Sequence, residues 1–168
     1  MPDWDAIVAE HGPLVWRTVY RLVGNHADAS DCFQETFLSA ISAARRERVE
    51  NWGGFLQRIA TARALDRLRR RVRQSGRDGR LDNVAVASPE PGPLRQAESH
   101  EVSDRLRLAL VDLPLKQAEA VCLHYLEGWS YDEVGRHLGI AVNAVSSLLH
   151  RARASLRAGL GQESEVLL

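Results

Sequence analysis

At 168 residues and 45% apolar content, the chain has room for one domain of ordinary size or two small ones, each with a packed core. Its formal net charge is zero, yet residues 1–44 carry 2 basic and 6 acidic groups, residues 45–80 carry 12 and 4, and residues 81–168 carry 8 and 12. No apolar run approaches the roughly 20 residues of a membrane span and no signal segment opens the chain, so neither membrane insertion nor export is expected, and a cytoplasmic protein is.

Helix periodicity and helix punctuation dominate, and almost nothing reads as strand. A short helix is expected from Asp3 to Glu10, with Gly12-Pro13 restarting the chain and Pro13 at a first helical position. Leu14, Val15, Thr18, Val19 and Leu22 then form an apolar stripe that Gly24-Asn25 ends. The next helix runs from about Ala27 to Ala44. Phe33, Phe37, Leu38 and Ile41 are its expected core face; Asp28, Asp31 and Glu35 fall opposite, near the end where the helix dipole favours anions.

Residues 45–54 break the pattern as a loop. A long helix follows from about Trp52 to Val72. Phe55, Leu56, Ile59, Ala60, Leu65 and Leu68 can face a core, while Arg58, Arg63, Arg67, Arg69, Arg70 and Arg71 crowd the remaining surface. Five arginines within Arg67–Arg73 repel one another unless an anion is near. A solvated helix end is the bland explanation; nucleic acid is the favoured one. Trp52 and Phe55 could stack on an unpaired base, although Phe55 reads slightly better as core.

Residues 74–98 are rich in Gly, Pro and polar residues and read as a linker. A second helical domain follows. Its first helix runs from about Glu98 to Asp112, with Leu106, Ala109, Leu110 and Leu113 on the core face. Pro114 begins the next, which continues to Glu127 with Ala118, Val121, Cys122 and Tyr125 inward. Ser130-Tyr131-Asp132-Glu133 fits a capping box, and that helix ends at Leu138-Gly139. A last helix runs from about Val142 to Ala158 on a stripe of Val145, Leu149, Ala152 and Leu156. The pair has the layout of a helix-turn-helix. Its second member leaves Asn143, Ser146, Ser147, His150, Arg151 and Arg153 outside, residue types that read base edges and hold phosphates. From spacing alone a plain helical hairpin is an equal alternative.

Enzyme readings are poor. The His residues at 11, 26, 100, 124, 137 and 150 show no zinc or triad spacing, and no glycine-rich phosphate loop is present. No catalytic residue, metal or cofactor is expected. Cys32 and Cys122 read as small core residues of a reducing compartment.

Taken in order, these stretches resemble the extracytoplasmic-function sigma factors of the sigma-70 family. His11-Gly12-Pro13-Leu14-Val15 through Gly24-Asn25 looks like the first part of the family's region two. Asp28-Ala29-Ser30-Asp31-Cys32-Phe33-Gln34-Glu35-Thr36-Phe37-Leu38 is similar to its most diagnostic helix. Phe55 to Arg71 resembles the promoter-melting helix, ending in Leu65-Asp66-Arg67-Leu68-Arg69-Arg70-Arg71. Leu113-Pro114 to Gly128, Ser130 to Val134 and His150-Arg151-Ala152-Arg153 look like region four.

The resemblance implies an all-α fold of two small helical domains joined by a flexible linker, the second holding the helix-turn-helix. It divides the chain into a region-two-like domain at 1–75, a linker at 76–98, a region-four-like domain at 99–162 and a tail at 163–168. It implies core RNA polymerase as a partner, docked on Asp31, Gln34 and Glu35. It implies promoter DNA as another, with the minus-ten element met by Arg45, Arg46, Arg48, Trp52, Arg58, Arg63, Arg67, Arg70 and Arg71. The minus-thirty-five element would be met by Asn143, Ser146, Ser147, His150, Arg151 and Arg153. An anti-sigma partner is implied in the same way. A stand-alone helix-turn-helix regulator, or a protein-binding adaptor, is the alternative without polymerase.

Two departures stand out. Thr61-Ala62 occupies the place of the family's frequent Arg-Asn, whose Asn helps hold a minus-ten base, with Arg63 as the nearest replacement. Ala144-Val145-Ser146-Ser147-Leu148-Leu149 replaces Thr-Val-Lys-Ser-Arg-Leu and lacks its two cations, which predicts weaker or altered upstream recognition.

Overall fold

A computed structural model describes residues 1–75 and 104–161. They fall into two compact units, the first built from three helices and the second from the remaining four and a π turn. The expected linker at 76–98, residues 99–103 and the tail lie outside the described residues, and no strand occurs among those described.

Helix α1 (Trp4–Val23) is continuous, so the restart expected at Gly12-Pro13 does not occur. The Asp3 carboxylate caps its start by accepting from the Ala6 N–H, and Gly24 ends it at φ 77°. Pro13 sits in the interior, where it removes one backbone donor and crowds the carbonyl four residues back. The helix persists because Ile7 lies on the same buried face as Val15, Thr18, Val19, Leu22 and Val23; a break would take Ile7 out of the core.

Helix α2 (His26–Ala44) starts on Asn25, whose Oδ1 accepts from the Asp28 N–H at 2.9 Å. Its buried face is Ala29, Cys32, Thr36, Phe37 and Ala40. Small residues at that spacing form the seam, which shifts the face from the one expected. Leu38 is 64% exposed, and Phe33 and Ile41 are only half-buried. Phe33 lies edge-on to Trp16 of α1, with ring centroids 6.0 Å apart.

Helix α3 (Trp52–Ser75) packs against both others. Asn51 begins it: its Oδ1 accepts from the Gly54 N–H at 3.0 Å and its carbonyl from the Phe55 N–H. The Gly53-Gly54 pair thus lies inside the first turn rather than in a loop. Leu56, Ala60, Ala64, Leu65, Leu68 and Val72 carry the core stripe, with Phe55 and Ile59 half-buried beside it.

In the second unit, α4 spans 104–112 and closes on buried Leu110 and Leu113. Pro114 precedes α5 (Leu115–Val121), which widens into a π turn over Cys122–Leu126, closed by the Glu127 N–H donating to the Cys122 carbonyl at 3.1 Å. This wider turn departs from the single α-helix expected to Glu127. Leu123 takes the inward position, while Tyr125 is half-buried. Helices α6 (Tyr131–Leu138) and α7 (Val142–Leu160) complete the unit, with Val145, Leu149, Ala152, Leu156 and Leu160 of α7 buried.

Candidate nucleic-acid interface

The acidic face of α2 and the arginine face of α3 meet. Arg67 lies within reach of three carboxylates: its Nη2 donates to Asp31 Oδ2 at 2.9 Å, with Glu35 Oε1 at 3.8 Å from the same nitrogen and Asp28 Oδ1 at 3.9 Å from Nε. One turn on, Arg71 Nη1 donates to Asp28 Oδ2 at 2.8 Å and its Nη2 to the Val23 carbonyl at 2.9 Å. That second guanidinium ties the end of α1 and the start of α2 to α3. Burial alone would push the Asp28 carboxyl up; the hydrogen bonds from Asn25 and Arg71 and the charges of Arg71 and Arg67 outweigh it and hold it below the ordinary value of 3.8.

The two halves of this clasp differ in exposure. The Asp28 and Arg71 side chains are 20% and 16% exposed; those of Asp31 and Glu35 are 58% and 41% exposed, and Gln34 lies exposed between them. The expected arginine surface is therefore corrected in part. Arg71 is spent on the fold, and Arg67 points at α2. Arg70 is exposed and pairs with Asp66 on its own helix. Arg63 Nη2 donates to Ser39 Oγ at 2.8 Å, and the Arg58 guanidinium lies 5.1 Å from the centre of the Phe55 ring.

The loop between α2 and α3 exposes Arg45, Arg46 and Arg48. Trp52 is not a free stacking plate as expected. It meets Trp4 edge-on at 5.2 Å and Phe55 at 6.0 Å, in a half-buried aromatic cluster. The more accessible feature is an open groove of about 410 Å³ lined by Leu38, Ser39, Ser42, Ala43, Arg46 and Arg63. Ser39 and Ser42 donate their hydroxyl protons to the Glu35 and Leu38 carbonyls, so each oxygen keeps acceptor capacity, which Ser39 uses in part toward Arg63, while Arg46 supplies further donors. A flat group with both acceptors and donors on its edge suits such a lining. Thr61 is buried in the core; half-buried Ala62 is where an amide is lacking.

In the second unit α6, the first helix of the pair, is fixed at both ends. The Ser130 hydroxyl accepts from the Glu133 N–H at 3.2 Å, and the Glu133 carboxylate accepts from the Ser130 N–H at 2.7 Å. Gly139 adopts φ 66°, a left-handed conformation that suits glycine. The Ile140 N–H then donates to the Gly135 carbonyl at 3.0 Å. Asn143, Ser146, Ser147, His150 and Arg151 lie exposed along α7, and Arg153 is half-buried. Arg151 Nε lies 3.4 Å from the Ser147 carbonyl, which leans its side chain along the helix.

Among the described residues no group of His, Cys, Asp and Glu could hold a metal, and no helix is long and apolar enough to cross a membrane. His124 Nδ1 sits 2.6 Å from the Trp129 carbonyl, and His137 Nε2 3.9 Å from Glu119, so both pack within the unit.

Comparison with known proteins gives the two units a common frame. Residues 7–74 match the family described as Sigma-70 region 2, and residues 103–156 match Sigma-70, region 4. The ECF RNA polymerase sigma factor SigE of Mycolicibacterium smegmatis is 37% identical over 164 residues, which cover 98% of this chain but 64% of SigE. The RNA polymerase sigma factor CarQ of Myxococcus xanthus is 34% identical over 160 residues, covering 95% of this chain and 90% of CarQ. Among solved structures, the sigma factor RpoE in complex with the anti-sigma factor NepR from Bartonella quintana shares the fold, with a TM-score of 0.58 at 24% identity over 96% of this chain and 99% of that one. With both regions matched in order, and with the ECF RNA polymerase sigma factor SigL of Mycobacterium tuberculosis 32% identical over 90% of this chain and 85% of its own length, the chain belongs to the extracytoplasmic-function sigma factors of the sigma-70 family.

Proposed function

We propose that the chain directs core RNA polymerase to promoters by docking through the exposed edge of α2, at Asp31, Gln34 and Glu35, and reading DNA through two separate surfaces. The groove of Leu38, Ser39, Ser42, Ala43, Arg46 and Arg63 takes an unpaired minus-ten base, flanked by Arg45, Arg48 and Arg58. The outer side of α7, from Asn143 to Arg153, enters the major groove of the upstream element. The observation that carries this reading is the exposed carboxylate edge of α2 in a chain that also holds a capped helix-turn-helix, since a repressor needs no polymerase-facing surface. No covalent chemistry is involved, so the chain is not an enzyme. Binding energy from polymerase and DNA offsets the few kcal/mol of unstacking each flipped base. The site of action is the cytoplasm, with the polymerase. An anti-sigma protein is a further proposed partner; the RpoE neighbour of the same fold was solved with one.

Run-off transcription with core polymerase tests the reading, on the unmodified chain and on the Asp31→Ala/Gln34→Ala/Glu35→Ala variant. A promoter-specific transcript from the first and none from the second is expected. No transcript from the unmodified chain, on its own upstream region or related ones, overturns it in favour of a stand-alone regulator.

A further inference from the structure

Arg67 stands between the two surfaces just assigned. Its guanidinium is one of the cations that an arginine-rich helix offers to DNA, yet Asp31 holds it at 2.9 Å and Glu35 lies 3.8 Å away. Those two carboxylates are the proposed polymerase contacts. Neither helix can satisfy both demands with the clasp closed: a cationic surface approaching Asp31 and Glu35 competes with Arg67, and a phosphate approaching Arg67 competes with Asp31 and Glu35. The neighbouring Asp28–Arg71 pair is less exposed and anchored on Asn25 and the Val23 carbonyl, so it keeps the helices together while the outer pair exchanges partners.

Resting on the docking face proposed above, we propose that Arg67 couples polymerase docking to DNA binding: in the free chain it is held by Asp31 and Glu35, and polymerase, by taking those carboxylates, releases it to the DNA backbone. By linkage the coupling is reciprocal, so removing the arginine strengthens polymerase docking just as removing the carboxylates strengthens DNA binding. Exposed ion pairs set the scale, and a gain of roughly two- to fivefold is expected on each side.

The test uses the full chain and a short labelled single-stranded DNA of mixed sequence at low salt, with no polymerase present. D31N/E35Q, two conservative changes at exposed positions, is expected to bind this DNA roughly two- to fivefold more tightly, with a salt slope steeper by about one. Adding R67Q to that variant removes the gain. A gain that survives R67Q reflects only the altered net charge and overturns the proposal, as does no gain at all. The second arm measures core polymerase binding without DNA, where R67Q is expected to bind more tightly than the unmodified chain; weaker binding means that Arg67 merely organises the carboxylates, and again overturns it. Circular dichroism of each variant confirms that the helices persist. If D31N/E35Q still holds polymerase as well as the unmodified chain, the docking assignment fails by itself, whatever the DNA arm shows.

Discussion

Gly135 and Ile140 approach so closely that no side chain fits between them: a Cβ on Gly135 would lie 2.8 Å from the Ile140 carbonyl oxygen. The backbone on either side of the turn is thereby pressed against α6, which sets the direction in which α7 leaves. Gly135→Ala must push backbone against backbone, at a cost of about 1–3 kcal/mol. Urea unfolding of the full chain checks this, and upstream DNA binding by the variant should fall with it. Gly139 differs, since nothing lies near its would-be Cβ and only its positive φ matters. Gly139→Asn is expected to be tolerated better than Gly139→Ala. Equal losses for Gly135→Ala and a surface glycine such as Gly159→Ala would refute the close-approach argument.

Acid should loosen both units through two different carboxylates. The Ser130 N–H, followed by the Ser130 hydroxyl, holds Glu133 below its ordinary 4.5, and Asp28 is held below 3.8 against the opposing effect of burial. Both folded-state values lie below the unfolded ones. The stabilisation is therefore full above about pH 4.5 and is lost as pH falls through the lower folded values. Glu133→Gln should flatten this acid limb in the second unit and Arg71→Ala in the first. Arg71→Ala should also cost about 1–3 kcal/mol at neutral pH, because it leaves Asp28 and the Val23 carbonyl short of a donor. Melting curves followed at a series of pH values decide it; parallel curves for wild type and Glu133→Gln would contradict the capping assignment.

Upstream recognition should respond to one added cation. Ser146 is exposed on α7. Ser146→Lys is expected to tighten binding to upstream duplex and to steepen the slope of log K against log salt by about one. An unchanged slope would place Ser146 away from the phosphates.

The thiol of Cys32 is expected to be inert in the folded chain. Burial pushes it up to about 11, and its Sγ donates to the Arg63 carbonyl at 3.8 Å. At pH 8 roughly a thousandth of it would be thiolate. Cys122 is equally buried. Both should react with a thiol reagent only at the rate of unfolding, which a stopped-flow comparison with denatured chain measures; rapid labelling of one thiol would show that its helix opens locally.

Much of this structure was legible because its signals are local. The Ser130–Glu133 capping box lies within four residues, and Gly139 and the α7 stripe within one or two helical turns. What escaped notice depends on residues far apart. Arg71 meets Asp28 and Arg67 meets Asp31 across 43 and 36 residues, so a sequence shows two opposite charge runs and not the clasp between them. Helix α2 misleads for a related reason: of its large apolar residues Phe37 is buried as expected, but Ala29, Cys32, Thr36 and Ala40 make up the rest of the buried face, which leaves Leu38 outside. The local rule for Pro13 predicts a break, and the burial of Ile7 on the same face as Val15 overrides it. Asn51 carries a local signal of its own, since Asn directly before a helix start is a favoured cap.

The π turn at Cys122–Leu126 has a bearing on how this chain can change over generations. A π turn holds one residue more than the α turn it replaces. Loss of a single residue there can be absorbed by tightening the turn, while α5 before it and the Ser130 cap after it keep their faces. An insertion or deletion between Gly135 and Val145 has no such slack, because the Gly135–Ile140 contact and the Gly139 turn fix each position. Length variation among relatives is thus expected to gather at the first place and to be absent from the second.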